Sequence, residues 1–167
     1  GAIEKPLVFD GNDRPGVMLS GAAQTFLHRF GVKIGERAVF VTAHDSAWHS
    51  AFDLAKAGTT VAAIVDLRPD VTAALINRAM DLGIEALTGH TATTTSGRLR
   101  VSSVRVGKVS GSRVTATRKI PCDTLLMCGG WTPSLHLFSH TKGSLSWDDA
   151  AGAFLPDRKT EECQIAG

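Results

Sequence analysis

The sequence has few cysteines, little net charge and no long apolar run, and each absence excludes a class of protein. Its three cysteines, Cys122, Cys128 and Cys163, form neither an even disulfide set nor a CxxC pair, which favours buried thiols in a reducing compartment. No stretch approaches the ~18 apolar residues of a membrane span. We therefore expect a cytoplasmic protein with no membrane partner.

The charge is too small and too scattered to indicate nucleic-acid binding. The net charge is +2, and only the segment from Arg113 to Lys119 is locally basic, with no stacking aromatics beside it. Cys122 and Cys128 are six residues apart, which on an extended strand separates them by about 20 Å, too far to share a metal ion. We predict no nucleic-acid partner and no metal site.

The remaining composition is that of a globular domain. The chain has 167 residues, of which 43% are hydrophobic and 20% are charged, and this length is enough to bury a substantial core. We expect one domain with two short flanking arms.

The first half of the chain follows the pattern of an α/β protein. Continuous apolar runs typical of strands buried on both faces alternate with segments of helical periodicity that end at a glycine. The predicted strands are 37–42, 60–66 and 84–87. The predicted helices are 20–30, 46–57 and 69–82, the last with Pro69 near its first turn. This alternation predicts a parallel, doubly wound sheet.

From residue 89 the composition changes to threonine, serine, valine and arginine, interrupted by glycines. This pattern predicts a three-stranded antiparallel β-meander over about 89–120, joined by tight glycine turns. Its predicted strands are 92–95, 99–106 and 113–120. A central strand is predicted at 124–128, followed by loops and the short strands 145–147, 154–155 and 164–166.

The turn after the first buried strand lacks the glycines that a dinucleotide site needs. A diphosphate approaches the backbone there and rests on the helix N-terminus, which requires a Gly-rich turn. The turn in this chain is Thr42-Ala43-His44-Asp45-Ser46, and the carboxylate of Asp45 would repel the diphosphate. We favour a simple capping role for Asp45 or Ser46.

Asp66 provides the other half of the dinucleotide signature. It comes 24 residues after Thr42, close to the ~20 expected of a carboxylate that binds a ribose. The neighbouring Arg68 could pair with Asp66 or present its face to an adenine. An ordinary turn and helix start explains Asp66 equally well, so both interpretations stay open.

The spacing of the titratable residues predicts no catalytic group. His44 and His49 are five residues apart and would lie about 140° apart around a helix, so they do not converge. We interpret them as surface or packing histidines. Trp48, Trp131 and Trp147 are interpreted as packing or interface residues.

Two loops, 11–16 and 129–133, are dense in glycine and proline. Gly129 and Gly130 follow an apolar strand and permit the close approach of another backbone or a ligand, while Pro133 fixes the exit from that strand. A structural turn is the alternative. We slightly favour a functional role, because both loops lie at expected domain crossings.

The two ends of the chain suggest a segment of a larger flavin- and nicotinamide-type protein. The chain starts at Gly1 without an initiator Met, and 163–167 stop where a strand would meet a glycine turn. We expect an inserted domain, with part of the machinery elsewhere.

Several stretches resemble one family of flavoproteins. The opening 1–6 is similar to the end of the ATG-x-x-x-x-P crossover of the two-dinucleotide-domain superfamily that includes the disulfide reductases. The stretches NDRPGVML and CGGWTPSLHLF, the meander and the closing Ile-Ala-Gly resemble the alpha subunits of heterotetrameric sarcosine oxidase. This resemblance covers essentially the whole chain. It implies an α/β fold of the FAD/NAD(P)-binding type, with a Rossmann-like parallel sheet, helices and the meander as a crossover.

The resemblance also implies a function for the larger protein. The family oxidatively demethylates sarcosine to glycine with O2 and tetrahydrofolate, giving H2O2 and methylenetetrahydrofolate. FAD and FMN are implied in the holoenzyme outside this chain, and a noncatalytic NAD is implied in the alpha subunit. The implied partners are the remaining alpha-subunit domains and the beta, gamma and delta subunits. The implied NAD contacts are Gly1, Gly129, Gly130, Trp131 and Thr132, with Asp66 a weaker candidate.

We divide the chain into a connecting arm over 1–35, a Rossmann-like inserted domain over 36–128 and a return segment over 129–167, and we expect no catalysis by the chain alone. Two alternatives remain open. One is a domain of another flavoprotein oxidoreductase subunit, of the opine dehydrogenase type. The other is a degenerate nucleotide-type domain that serves only as an assembly surface and exposes an apolar patch. A downstream folate-binding domain would favour sarcosine oxidase.

Overall fold

The computed structural model describes residues 1–157 and divides the chain into two compact units. The first unit is Pro6–Gly130, and the second combines Gly1–Lys5 with the chain from Trp131 onward. The strands are β1 Ala2–Glu4, β2 Val17–Leu19, β3 Arg37–Thr42, β4 Thr60–Asp66, β5 Glu85–Thr88, β6 His90–Ser96, β7 Ser103–Ser110, β8 Arg113–Pro121, β9 Thr124–Cys128, β10 Trp131–Pro133, β11 Leu145–Asp148 and β12 Ala153–Pro156. The helices are α1 Ser20–Phe30, α2 Ser46–Lys56, α3 Ala73–Asp81 and α4 His136–His140.

A five-stranded parallel sheet forms the centre of the first unit. Its order is β2-β9-β3-β4-β5, and every neighbouring pair is parallel. The apolar run of β9 is buried throughout, because it lies between β2 and β3. The α/β fold and the return of the chain to a central strand are therefore confirmed.

Helices cover one face of this sheet. Alternate residues of the buried strands, such as Phe40 and Ile64, pack with Trp48, Phe52 and other residues of the helices in one core cluster. α1 has the predicted bounds and ends at Gly31, whose φ of 62° is left-handed. Its last residue, Phe30, is 60% exposed.

The helix predicted from residue 69 begins later. α3 starts at Ala73, with Thr72 at the N-cap position. The helix does not extend back to Pro69 because the backbone of Thr72 has a ψ of 136°, which is outside the helical range.

The β-meander covers the other face of the sheet, where a doubly wound fold would have helices. Val39 and Val41 point to this face and pack with Val104, Val106 and Ile120 of the meander in a second core cluster. The sheet is therefore not doubly wound: within the described residues, helices pack on one face and the antiparallel layer β6-β7-β8 packs on the other.

Two details of the predicted meander are wrong. Leu99 is 82% exposed in a loop, and β7 starts at Ser103. Gly107 lies within β7 at an irregularity in register, not in a turn. The tight turn is at Gly111, whose φ is 58°.

The loop 11–16 is bound to the meander by polar contacts. Arg14 donates from Nε to the Thr95 hydroxyl at 3.1 Å and from a guanidinium nitrogen to the Gly97 carbonyl. The Thr95 hydroxyl donates to the Gly11 carbonyl at 2.8 Å. These contacts support the structural interpretation of this loop.

The second unit consists of short elements. β1 pairs antiparallel with β10, and β11 pairs antiparallel with β12. The strands expected at 145–147 and 154–155 are present, α4 was not predicted, and the strand expected at 164–166 lies outside the described residues. None of the helices in residues 1–157 is long and apolar enough to cross a membrane.

Candidate functional site

The carboxyl edge of the parallel sheet is the place where a ligand site is expected. In open α/β sheets, ligands bind outside the carboxyl ends of the strands, where the strand order reverses. Here the reversal lies between β3 and β9, and Thr42 at the end of β3 is in register with both Cys128 and Asp66. The structure thus brings the residues predicted from the βα turn and from β4 to one edge.

The turn after β3 is closed by its own hydrogen bonds. The Thr42 hydroxyl accepts from the His44 amide at 2.9 Å and donates to the His44 carbonyl at 2.9 Å. The Ala43 amide donates to the Cys128 carbonyl at 2.9 Å. These backbone groups have partners within the turn or on β9.

The histidine of this turn caps the following helix. Nδ1 of His44 accepts from the Ser46 amide at 3.1 Å and lies 3.0 Å from the Ser46 hydroxyl. Asp45 occupies the N-cap position, but it makes no side-chain capping bond. We predict that the side chain of Asp45 or Ser46 caps α2, and this prediction is wrong. The imidazole nitrogen of His44 accepts the hydrogen bond instead of a carboxylate or hydroxyl oxygen.

Asp66 is completely buried and accepts four hydrogen bonds. Oδ1 accepts from the backbone N–H and Nε of Arg68 at 2.9 and 3.0 Å. Oδ2 accepts from Nε1 of Trp48 at 2.8 Å and from Nη2 of Arg68 at 2.8 Å. All of these donors belong to the same chain.

Arg68 joins the strand end to the helix N-terminus. Its Nη2 also donates to Asp45 at 2.7 Å. The hydrogen bonds to Asp66 raise the pKa of the Arg68 guanidinium above its usual range; burial opposes that rise, and the contact with Asp45 adds to it. The permanently charged guanidinium therefore lies between two carboxylates at the edge where a nucleotide would bind.

A dinucleotide site would use the backbone amide of Ser46 and the carboxylate of Asp66. Both groups already hydrogen-bond to other residues of this chain. A diphosphate requires free amides at the helix N-terminus, but here the Ser46 amide binds His44 and the nearby Asp45 carboxylate binds Arg68. The residues at the α2 N-terminus do not fit a diphosphate in this arrangement. A ribose hydroxyl could reach Asp66 only after displacement of Arg68.

The described thiols are buried. Cys128 lies 3.6 Å from the Ser46 hydroxyl, measured from sulfur to oxygen. Burial, followed by the nearby Asp123, raises the pKa of Cys122 to about 12, so its reactive thiolate form is scarce at neutral pH. Cys122 and Cys128 are free, and both are buried as predicted. Cys163 lies outside the described residues. In residues 1–157, no group of three or more His, Cys, Asp or Glu could hold a metal ion.

The second unit contains Gly1, Trp131 and Thr132 from the predicted cofactor contacts. Thr132 is the register partner of Ile3 in the β1–β10 pair, and the Gly1 carbonyl accepts from the Ser134 amide at 2.8 Å. A mostly apolar open groove of about 530 Å³ lies in this unit. Its lining residues are Ile3, Thr132, Pro133, Leu135, His136, Ser139, His140, Leu145 and Phe154.

Gly129 and Gly130 are the last residues of the first unit. Gly130 is buried and has a φ of 91°, a conformation that residues with a side chain rarely adopt. Its identity as glycine thus has a backbone reason.

Sequence reasoning missed the role of Trp48. Its indole nitrogen is the only donor to Asp66 outside Arg68 among the described contacts. The available signal was a tryptophan in the first turn of the helix after β3. An indole N–H needs an acceptor within the protein only when the tryptophan is buried, and the sequence does not show whether Trp48 is buried. The burial became visible only in the fold.

The geometry defines the chain as an α/β domain in which a parallel sheet lies between helices and an antiparallel β-meander, and solved FAD/NAD(P)-type oxidoreductases show the same fold. Thioredoxin reductase from T. acidophilum superimposes with a TM-score of 0.69 at 16% identity, covering 87% of this chain and 47% of that one. L-proline dehydrogenase from P. horikoshii gives a TM-score of 0.58 at 18% identity, covering 95% of this chain and 25% of that one. Identities this low show the fold alone.

In sequence, the chain is similar to one particular kind of protein subunit. The chain is 38% identical over 172 aligned residues to sarcosine oxidase subunit alpha from Corynebacterium sp. strain P-1, covering all of this chain and 17% of that protein. It is 36% identical over 167 residues to the subunit from Rhizobium meliloti strain 1021, covering all of this chain and 16% of that protein. No family model matches. The predicted resemblance to sarcosine oxidase alpha subunits is confirmed, and the chain spans about one sixth of the length of these relatives.

Proposed function

We propose that this chain is a non-catalytic α/β domain of a sarcosine oxidase alpha subunit. The observation that carries the proposal is the similarity of 36–38% along the full chain to three such subunits. The filled N-terminus of α2 supports the non-catalytic role, because its turn hydrogen-bonds to itself and to β9.

The larger protein, in this proposal, demethylates sarcosine to glycine with O2 and tetrahydrofolate, giving H2O2 and methylenetetrahydrofolate. FAD and FMN are bound outside this chain, and NAD is bound by the alpha subunit. The partners are the other domains of that subunit and the beta, gamma and delta subunits. The reading of 36–128 as an inserted domain, with 1–35 and 129–167 as arms, belongs to the same proposal.

The proposed NAD contacts of the intact subunit are Gly1, Gly129, Gly130, Trp131 and Thr132. Gly130 supports this assignment because its positive φ lets the backbone turn without a side chain. Asp66 is the weaker candidate, and its contact with a ribose requires that Arg68 leave the carboxylate.

Peroxide formation tests the proposed activity. The assembled enzyme is expected to release H2O2 in the presence of sarcosine, whereas this chain alone is expected to release none. A His44→Ala variant of the assembled enzyme is expected to keep its kcat, because the imidazole caps a helix and touches no reacting group. Sarcosine-dependent peroxide from the chain alone would overturn the non-catalytic role. Oxidation of an opine in place of sarcosine would favour the other flavoprotein class.

A nuclear magnetic resonance titration with NAD tests the site. Amide shifts of the chain are compared between the wild type and Asp66→Ala. Shifts at 42–46 that disappear in the variant would give the domain its own nucleotide site. Unchanged spectra of the chain, together with NAD binding by the intact subunit, would support the contacts proposed at Gly1 and at 129–132. No NAD binding by either protein would favour a domain that serves only for assembly.

A further inference from the structure

The β-meander carries positive charge that the proposed function does not use. Residues 89–122 contain seven Lys and Arg but no Asp, Glu or aromatic residue. Because the whole chain carries a net +2, its remaining residues carry a net −5. The cationic character of this protein is therefore concentrated in one layer of the first unit.

Like charges face each other across the strands of this layer. Arg105 on β7 lies directly opposite Lys119 on β8. Arg105, Lys108 and Lys119 are all exposed. Opposed like charges destabilise a sheet, and an external anion would remove that cost.

The cations lie on the outer face of the layer. Along β7, Val104 and Val106 are fully buried on either side of Arg105, and on β8 Ile120 is buried beside Lys119. Because successive residues of a strand point to opposite faces, Arg105 and Lys119 point away from the parallel sheet.

Two carboxylates near the meander have partners other than Arg105 and Lys119. Glu85 pairs with Arg118, and Asp10 accepts from Thr94 at 2.6 Å, beside Arg105 in the register. Among the described residues, the charged groups of Arg105, Lys108 and Lys119 have no hydrogen bond or ion pair. Arg118 is thus part of an ion pair, whereas Arg105 and Lys119 on the outer face are not.

Protection of a sheet edge explains only part of this charge. Charged residues on an edge strand prevent unwanted strand pairing, and β8 is an edge strand of the meander. β7 is the central strand of that sheet, so edge protection does not account for Arg105 and Lys108.

We infer that the outer face of the meander docks a carboxylate-rich surface of another polypeptide in the same assembly, with Arg105 and Lys119 as its charged contacts. The inference rests on the proposed function, because an alpha subunit has neighbouring chains. A protein surface fits better than a nucleic acid, since the meander offers no aromatic ring on which bases could stack.

Assembly of the full-length alpha subunit with its partner subunits tests the inference. Sedimentation is compared between the wild type and Arg105→Glu/Lys119→Glu at about 50 mM and about 500 mM NaCl, which bracket strong and weak screening. The double variant is expected to raise the dissociation constant of the complex at least about tenfold at low salt, because like charges would then meet across the interface. The wild type is expected to lose most of this advantage at high salt.

Arg118→Gln is the matched control, because it removes a cation from the same strand that is already paired with Glu85. It is expected to leave assembly unchanged. Equal assembly of the double variant and the wild type at both salt concentrations would overturn the inference. Loss of binding to a labelled DNA duplex, with assembly intact, would also overturn it in favour of a nucleic acid. Thermal unfolding of each variant separates misfolding from a lost contact, and the single reversal Lys119→Glu repeats the test if the double variant unfolds.

Sarcosine-dependent peroxide release separates this inference from the proposed function. A wild-type complex that does not oxidise sarcosine but still depends on Arg105 and Lys119 for assembly would refute the activity and keep the docking surface. An active complex that assembles without them would do the opposite.

Discussion

The carboxylate of Asp66 is held by donors from its own chain. Trp48 donates from inside α2, and Arg68 donates from the turn after β4. A buried carboxylate without such partners would cost several kcal/mol, so these contacts are a condition for an aspartate at this strand end. A dinucleotide site would use the same oxygens for a ribose.

Trp48→Phe is expected to lower the free energy of unfolding by about 2–3 kcal/mol, because it removes a donor from a buried carboxylate and leaves a small void. Urea unfolding followed by circular dichroism measures the change. Trp147→Phe is the control, since Trp147 is 54% exposed and its indole pairs with an exposed Asp149; its effect should stay within about 0.5 kcal/mol. Equal effects of the two substitutions would contradict the role of Trp48.

Asp123 gives the chain a pH-dependent contribution to stability. Burial by itself raises the pKa of this carboxyl, but hydrogen bonds from the amides of Glu36 and Arg37 and from the Thr124 hydroxyl outweigh it and hold the pKa below its ordinary value. A lowered pKa in the folded state stabilises the protein above the unfolded pKa of about 3.9, and this stabilisation is lost as the pH falls through the folded pKa.

Asp123→Asn is therefore expected to be less stable than the wild type at neutral pH, with a difference that shrinks as the pH falls below about 4. Urea midpoints measured between about pH 7 and pH 3 would show this convergence. A difference that stays constant over the whole range would mean that the charge of Asp123 contributes nothing.

At the scale of elements, glycine has two different roles in the β7–β8 hairpin. Gly111 forms the two-residue turn, with a φ of 58° and nothing within 4 Å of a hypothetical Cβ. Gly107 lies inside β7, where a Cβ would lie 2.5 Å from Cγ1 of Val114 and 3.0 Å from the Thr115 carbonyl oxygen. The sequence pattern could not separate these roles, because both glycines interrupt a run of alternating residues.

Gly107→Ala is expected to destabilise the chain by about 1–3 kcal/mol, because the added methyl group has to push Val114 and the backbone of β8 aside. Gly111→Asn is the matched control on the same hairpin, since asparagine tolerates a left-handed turn position. Thermal unfolding of both variants provides the comparison. A smaller loss for Gly107→Ala than for Gly111→Asn would refute the close approach.

At the scale of the whole molecule, both core clusters belong to the first unit. Every buried residue in the two clusters lies between Ala23 and Cys128. Within residues 1–157, the sheets of the second unit have two strands each, and isolated two-stranded sheets are marginally stable in water.

We therefore expect residues 6–130 alone to fold cooperatively. A single urea transition followed by circular dichroism, with the buried fluorescence of Trp48 changing at the same midpoint, is the expected result. A gradual transition, or a solvent-exposed Trp48 in the absence of urea, would show that the two core clusters are not sufficient to fold residues 6–130.

Most of the parallel sheet could be predicted because its strands are continuous apolar runs. The strand at 37–42 matches β3 in both bounds, and 60–66 matches β4. Predictions failed where one residue type occurs in two kinds of structure. Proline is common both in the first turn of a helix and in loops, and Pro69 lies in a loop before α3. The sequence pattern also could not predict that the meander packs on the second face of the parallel sheet. That packing is seen only in the contacts of Val39 and its neighbours in the folded chain.

The sequence by itself determined the α/β alternation, the meander and the resemblance to sarcosine oxidase alpha subunits. These follow from periodicity, glycine positions and short motifs, all of which are local along the chain. Only the tertiary structure decided that Trp48 and Arg68 occupy Asp66 and that Arg105 lies opposite Lys119. Trp48 and Asp66 are 18 positions apart, and Arg105 and Lys119 lie on different strands. The packing of α2 on the sheet sets the first contact, and the register of the strands sets the second.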